Sequence, residues 1–265
     1  EFVEKYHLNL SQDGTFNPRD IFGSHDDSDH VYNTPRAWYM ARCLNPSTMN
    51  WDGPDADFTP LSDDIPWCMV PEKKVTIEDV KYVLSSHFQG TPYDPYASYG
   101  DKSMKGAYRA IGVNRTDFLG IIQMRPDAGE DSRAIEWVAF ASNVFNTTAP
   151  FYTDVEKVPE YFSNTTGDAS TDNFYWASRM IAAMADASYS KSIFHIERYQ
   201  ERVMSKGHEY INQYDELLEK ESNAEKRMQL RQEANEKIAD MVKKETQDTL
   251  NKVLYELSNQ MKNAY

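Results

Sequence analysis

Phe118-Leu119-Gly120-Ile121-Ile122-Gln123-Met124-Arg125, followed after the loop Pro126 to Arg133 by Ala134-Ile135-Glu136-Trp137-Val138-Ala139-Phe140-Ala141, is the passage that decides the fold. Both runs are rich in β-branched and aromatic residues, and the loop between them carries turn residues, so they read as a hairpin. A strand with one wet face alternates apolar and polar side chains. Here Ile135, Trp137 and Ala139 fall on one face, and Val138 and Phe140 on the other. Strands of this kind need cover above and below. The expected class is therefore α+β, with layers packed on both faces of an antiparallel sheet.

Helical sequence surrounds the hairpin. Thr76 can cap a helix running from Ile77 towards Gly90, with Glu78 and Asp79 in its first turn. Its expected stripe is Ile77, Val80, Val83, Leu84 and His87. A second helix is expected to enter at Thr34-Pro35 and run through Arg36, Trp38, Tyr39 and Ala41 towards Leu44. From Thr171 to Tyr189, residues Phe174, Ala177, Ile181, Met184 and Ala185 repeat at helical spacing. A long amphipathic region follows from Ile193, with expected breaks at Lys206-Gly207 and Glu221-Ser222-Asn223. Residues 1–70 are punctuated by Asp13-Gly14, Asn17-Pro18, Asn45-Pro46, Asp52-Gly53-Pro54 and Ile65-Pro66, a turn-rich pattern. Two regions are expected: 1–190, carrying the sheet, and 191–265, a helical extension packed on it.

Composition narrows the function. The chain has 265 residues and a net charge of -14, with a pI of about 4.9 and a mean hydropathy of -0.72. Such a charge repels phosphate backbones and anionic lipid surfaces, so nucleic acid and membrane are not expected partners. No run of about 18 apolar residues occurs, and no signal-peptide pattern. Cys43 and Cys68 do not form a disulfide framework, which points to a reducing, cytoplasmic setting. The first residues, Glu1-Phe2-Val3-Glu4-Lys5-Tyr6, read as the inside of a helix without a cap, so the chain is expected to be a portion of a longer one.

The densest chemistry lies in Gly23-Ser24-His25-Asp26-Asp27-Ser28-Asp29-His30. A metal site on His25, His30 and the aspartates is one reading. Against it, neighbouring side chains of an extended segment point opposite ways, and in a helix His25 and His30 do not share a face. No His-Glu-x-x-His, no Gly-x-Ser-x-Gly and no phosphate-cradling glycine loop is present. Buried, inert thiol is the expected state of both cysteines. A further alternative is a non-catalytic interaction module built on the C-terminal helices.

A broader pattern carries more. Asn17-Pro18-Arg19, Gly23-Ser24-His25, Ser28 to Trp38, Asp63-Asp64-Ile65-Pro66-Trp67, Val80 to His87, Gln89 to Pro95 and Asn173 to Ala177 together resemble the second half of bacterial, lactobacillus-type cysteine dipeptidases of the N-terminal-nucleophile hydrolase superfamily. The resemblance covers Tyr6 to about Tyr214. It implies a four-layer αββα sandwich and a dipeptide hydrolase without metal or other cofactor. It also implies an N-terminal cysteine that attacks the scissile carbonyl, with the chain's own α-amino group as base. Residue 1 here is Glu, so the nucleophile is expected in the missing N-terminal half of the same protein, and the fragment is expected to be inactive alone. Arg36, in Thr-Pro-Arg-Ala-Trp, is the implied catalytic arginine, stabilising a thiolate, an oxyanion or the substrate carboxylate. The bland alternative is an ion pair with Asp29 or another acid. Asn33, His30 and Asp29 are the implied supports of Arg36 and its loop. Uncovered sheet edges invite self-association, so a homo-oligomer is also expected.

Overall fold

The computed structural model describes residues 1–9, 16–23 and 26–263. Residues group into two compact units, Glu1–Lys74 with Gly106–Arg109, and Val75–Lys105 with Ala110–Tyr265.

The first unit is loop-rich. Its helices are α1 (Phe2–Lys5), α2 (Pro18–Phe22), α3 (Asp29–Tyr32) and α4 (Thr34–Leu44), the last entered with Pro35 in its first turn as its sequence requires. α4 buries Thr34, Pro35, Trp38 and Tyr39. Two tryptophans tie loops to this small core. Trp38 Nε1 donates to the Phe58 carbonyl at 3.1 Å and Trp51 Nε1 to the Asn45 carbonyl at 2.8 Å.

The second unit opens with α5 (Ile77–Leu84), started by a reciprocal capping box between Thr76 and Asp79. β1 (Phe118–Met124) and β2 (Ala134–Phe140) form the expected antiparallel hairpin, Ile121 opposite Trp137. A third strand, β3 (Ala149–Tyr152), pairs antiparallel with β2 and gives the order β1-β2-β3. Then come α6 (Glu160–Ser163), α7 (Phe174–Ala187), α8 (Tyr189–Lys220) and α9 (Ala224–Ser258).

The two-faced strands are covered from both sides at β2 and β3. Trp137 and Pro150 lie against Gly207 of α8, while Phe140 and Phe151 meet Phe162 of α6, and Phe140 also meets Phe174 of α7. α9 runs along the free edge of β3, where the Asn235 amide stands in for a strand. Its Oδ1 accepts from Tyr152 N–H at 2.9 Å and its Nδ2 donates to the Tyr152 carbonyl at 3.0 Å. β1 differs, because Phe118, Ile122 and Met124 leave one face open at 54%, 68% and 62% exposure.

Two expectations are corrected. α5 ends at Leu84, so His87 is not on its stripe. Ser86 Oγ accepts from Phe88 N–H and Gln89 Oε1 from His87 N–H, and Phe88 takes φ +66°, so side chains replace the helical ladder. Lys206-Gly207 does not break α8. Gly207 is there for room, since a Cβ would sit 2.7 Å from the Pro150 ring. Among the described residues the sheet has three strands, with helices packed on it, an α+β arrangement. The break at Glu221-Ser222-Asn223 is found, with Asn223 capping α9.

Candidate functional site

In the first unit, α4 presents Arg36 from its first turn, half-buried. Its Nε donates to the Arg109 carbonyl at 3.1 Å. Arg109 is itself tethered, its N–H donating to the Val31 carbonyl at 3.0 Å and its guanidinium lying 5.4 Å above the Tyr32 ring. Burial first, and the charge of Arg109 second, pull the Arg36 guanidinium below its ordinary range. Among the described residues no carboxylate lies within ion-pair distance of Arg36, and the buried Arg109 Nε has no acceptor. Arg36 and Arg109 thus lie near each other without a paired carboxylate among the described residues, in a chain of charge -14.

The other sequence candidates lie close by in the chain but serve different bonds. Asn33 Nδ2 donates to Asp29 Oδ1. The Asn33 carbonyl accepts from the Arg36 N–H at 3.1 Å, so Asn33 supports α4 through its backbone. His30 Nε2 lies 2.9 Å from Asp63 Oδ1. His25 falls outside the described residues. Among the described residues no three His, Cys, Asp or Glu side chains are placed to hold a metal. Burial pushes the Cys43 thiol up, outweighing a hydrogen bond from Tyr39 and the charge of Arg42, so it is a poor thiolate. Cys68 is exposed.

The second unit holds groups that sequence reasoning passed over. Lys81 is 4% exposed, and its amine is held by neutral oxygens. Its Nζ donates to Ser85 Oγ at 2.8 Å, the Asn143 carbonyl at 2.6 Å and Asn146 Oδ1 at 2.7 Å. Burial pulls it down to about 7. Buried His87 places Nδ1 2.9 Å from Asp94 Oδ1 and Nε2 3.2 Å from the Tyr189 hydroxyl. Only the Thr91-Pro92 turn between His87 and Asp94 hinted at their meeting. Arg109 had no local signal, since it reaches Arg36 across 73 positions.

Comparison with known sequences places this arrangement in a class. The chain belongs to peptidase family C69, whose profile matches residues 1–202. A dipeptidase of Bifidobacterium longum (strain NCC 2705) is 45% identical over 304 aligned positions, covering 100% of this chain and 57% of that protein. A probable dipeptidase A of Streptococcus pyogenes serotype M18 is 44% identical, with 100% and 54% covered. Dipeptidase A of Lactobacillus helveticus is 32% identical, with 97% and 52% covered. The chain thus spans about half the length of the curated relatives it matches.

Proposed function

We propose that these residues form part of a cysteine-type dipeptidase of the N-terminal-nucleophile class, with Arg36 as a catalytic residue and Arg109 beside it. One observation carries the reading: the Arg36 guanidinium is held on the Arg109 carbonyl within reach of that residue's charge, and no carboxylate among the described residues pairs with it. A dipeptide brings a carboxylate, and peptide attack generates an oxyanion, so the reaction supplies the anion this site lacks. Names borne by the relatives support the substrate class.

The nucleophilic thiol comes from sequence outside these 265 residues. Cys43 is held as a thiol by burial and Cys68 stands exposed, which supports that reading. The attacking sulfur forms an acyl-enzyme, the amine leaves with the proton taken from the thiol, and water releases the acid. Arg36 lies against the developing negative charge. Asn33 and Asp29 hold the turn that starts α4, and His30 clamps it to Asp63. The open face of β1 is covered, in the whole protein, by further strands, completing an αββα sandwich. On this reading residues 1–190 belong to the dipeptidase domain and 191–265 form a helical extension. Two free thiols support a cytoplasmic setting. The isolated chain, with that β1 face bare, self-associates.

The test is dipeptide hydrolysis by the full-length protein. Arg36→Ala lowers kcat/KM by roughly 100-fold to 1,000-fold, as loss of one preorganised donor to an oxyanion does. Arg36→Lys recovers part of it, and the 265-residue chain alone is inactive. Full-length activity from the isolated chain, or an unchanged Arg36→Ala enzyme, refutes the proposal.

A further inference from the structure

Lys81, in the last turn of α5, and Ser85, at its C-cap, both open onto a cavity of about 990 Å³ within the second unit. That is room for a small molecule. Lys81 Nζ and Ser85 Oγ are 2.8 Å apart. A serine hydroxyl is a weak nucleophile until a base stands within hydrogen-bond reach of it.

The three partners of the amine are not alike. The Asn143 carbonyl, at 2.6 Å, can only accept. So can Asn146 Oδ1, at 2.7 Å, and its place is set because Nδ2 of the same amide faces the Phe140 carbonyl at 2.6 Å and Asn143 Oδ1 at 3.2 Å. Ser85 is the one partner with a hydrogen to give, and among the described residues its hydroxyl bonds to Lys81 alone. An ammonium donates to all three oxygens. A neutral amine keeps its two N–H bonds to the pure acceptors and turns its lone pair to the Ser85 hydroxyl. Loss of a proton therefore strands no oxygen and leaves a base on Ser85. Burial brings this amine down to about 7, which populates the neutral form near neutral pH.

The backbone behind the pair is fixed. Gly112 N–H donates to the Ser86 carbonyl at 2.8 Å, and a Cβ on Gly112 would sit 2.5 Å from the Ser85 carbonyl oxygen. Around the hydroxyl, Tyr82, Val144, Ile193 and Met204 give the cavity apolar lining, and Glu197 and Glu201 also line it. Such walls suit a short acyl chain, and the carboxylates disfavour an anionic one.

We propose that Ser85 and Lys81 form a nucleophile and its base, acting on small neutral carboxylic esters that enter this cavity. Ser85 Oγ bonds to the ester carbonyl carbon as its proton passes to Lys81 Nζ. The ester C–O bond breaks, and the alcohol leaves with that proton. Water then attacks the acyl-serine and gives a proton to Lys81, the acid departs, and the proton returns to Ser85 Oγ. The inference rests on this pair and its cavity, and not on the proposed peptide hydrolysis by an external thiol.

The test labels the full-length protein with diisopropyl fluorophosphate and locates the adducts by peptide mass spectrometry, so that reaction at a cysteine is read separately. Ser222, exposed between α8 and α9, is the internal reference. Half-buried Ser85 is labelled at least about 100-fold faster than Ser222. Lys81→Met, its fold checked by circular dichroism, brings Ser85 down to the rate of Ser222; if that variant does not fold, the wild-type ratio decides by itself. In protein whose thiols are alkylated, Ser85→Ala lowers hydrolysis of p-nitrophenyl butyrate at least about tenfold. Ser85 reacting no faster than Ser222, an undiminished rate in folded Lys81→Met, or unchanged ester hydrolysis in Ser85→Ala overturns the proposal.

Discussion

Replacing Lys81 by Met tests the most unusual charge in the fold. The substitution keeps most of the stem and removes the ammonium that holds α5 to Asn143 and Asn146. In the folded protein burial brings this amine down to about 7, while an exposed lysine in the unfolded chain titrates near about 10.4. Between those values the unfolded chain binds more protons than the folded one. Folding stability from this group therefore rises with pH from about 7 to about 10, and is at its lowest on the acid side of 7. Each pH unit inside the window is worth about 1.4 kcal/mol. From pH 7.5 to pH 9.5 the wild-type chain should thus gain about 2–3 kcal/mol over Lys81→Met. Other titrating groups are common to both proteins and cancel in the difference. Stranding the Asn143 and Asn146 oxygens adds a penalty of about 1–3 kcal/mol to the variant, but that offset does not change with pH. Urea unfolding of both proteins at pH 7.5, 8.5 and 9.5 reads the slope directly. A flat difference would mean that the three oxygens keep the ammonium charged throughout, and that burial does not control this residue.

Asn235→Ala strips both hydrogen bonds from the backbone of Tyr152 and should cost about 2–4 kcal/mol in urea unfolding, with faster exchange of the Tyr152 amide; a loss below about 0.5 kcal/mol would show that water replaces the amide. Gly207→Ala should destabilise by about 1–3 kcal/mol despite the better helix propensity of alanine, because the Pro150 ring, 2.7 Å from the new Cβ, cannot fold away; a stabilised variant would mean that β3 shifts freely. In the full-length protein, Arg109→Met should raise KM for dipeptides roughly tenfold to 100-fold with a smaller change in kcat, as loss of a charge-assisted bond to a bound carboxylate would; an unchanged KM argues against Arg109 as a substrate contact.

Amino-acid order alone determined what depends on local period and local caps. Apolar residues on both faces of 134–140 announced a strand covered on both sides, and the loop before it announced the hairpin with 118–124, whose one face stays open. Thr76 with Asp79 marked a helix start, Thr34-Pro35 marked another, and Glu221-Ser222-Asn223 marked the bend between the last two helices. Tertiary structure alone decided what depends on partners far along the chain. The strand Ala149–Tyr152 is four residues long and contains Pro150, so no periodic signal could emerge from it, and it exists because β2 and Asn235 satisfy its backbone. Gly207 reads as a helix breaker until Pro150 is seen against it. Arg36 gained its contact with the Arg109 backbone from 73 positions away, and the Lys81 amine was pulled down only once burial removed its water. Periodicity records which side of an element faces inward; it carries no record of which distant group waits there.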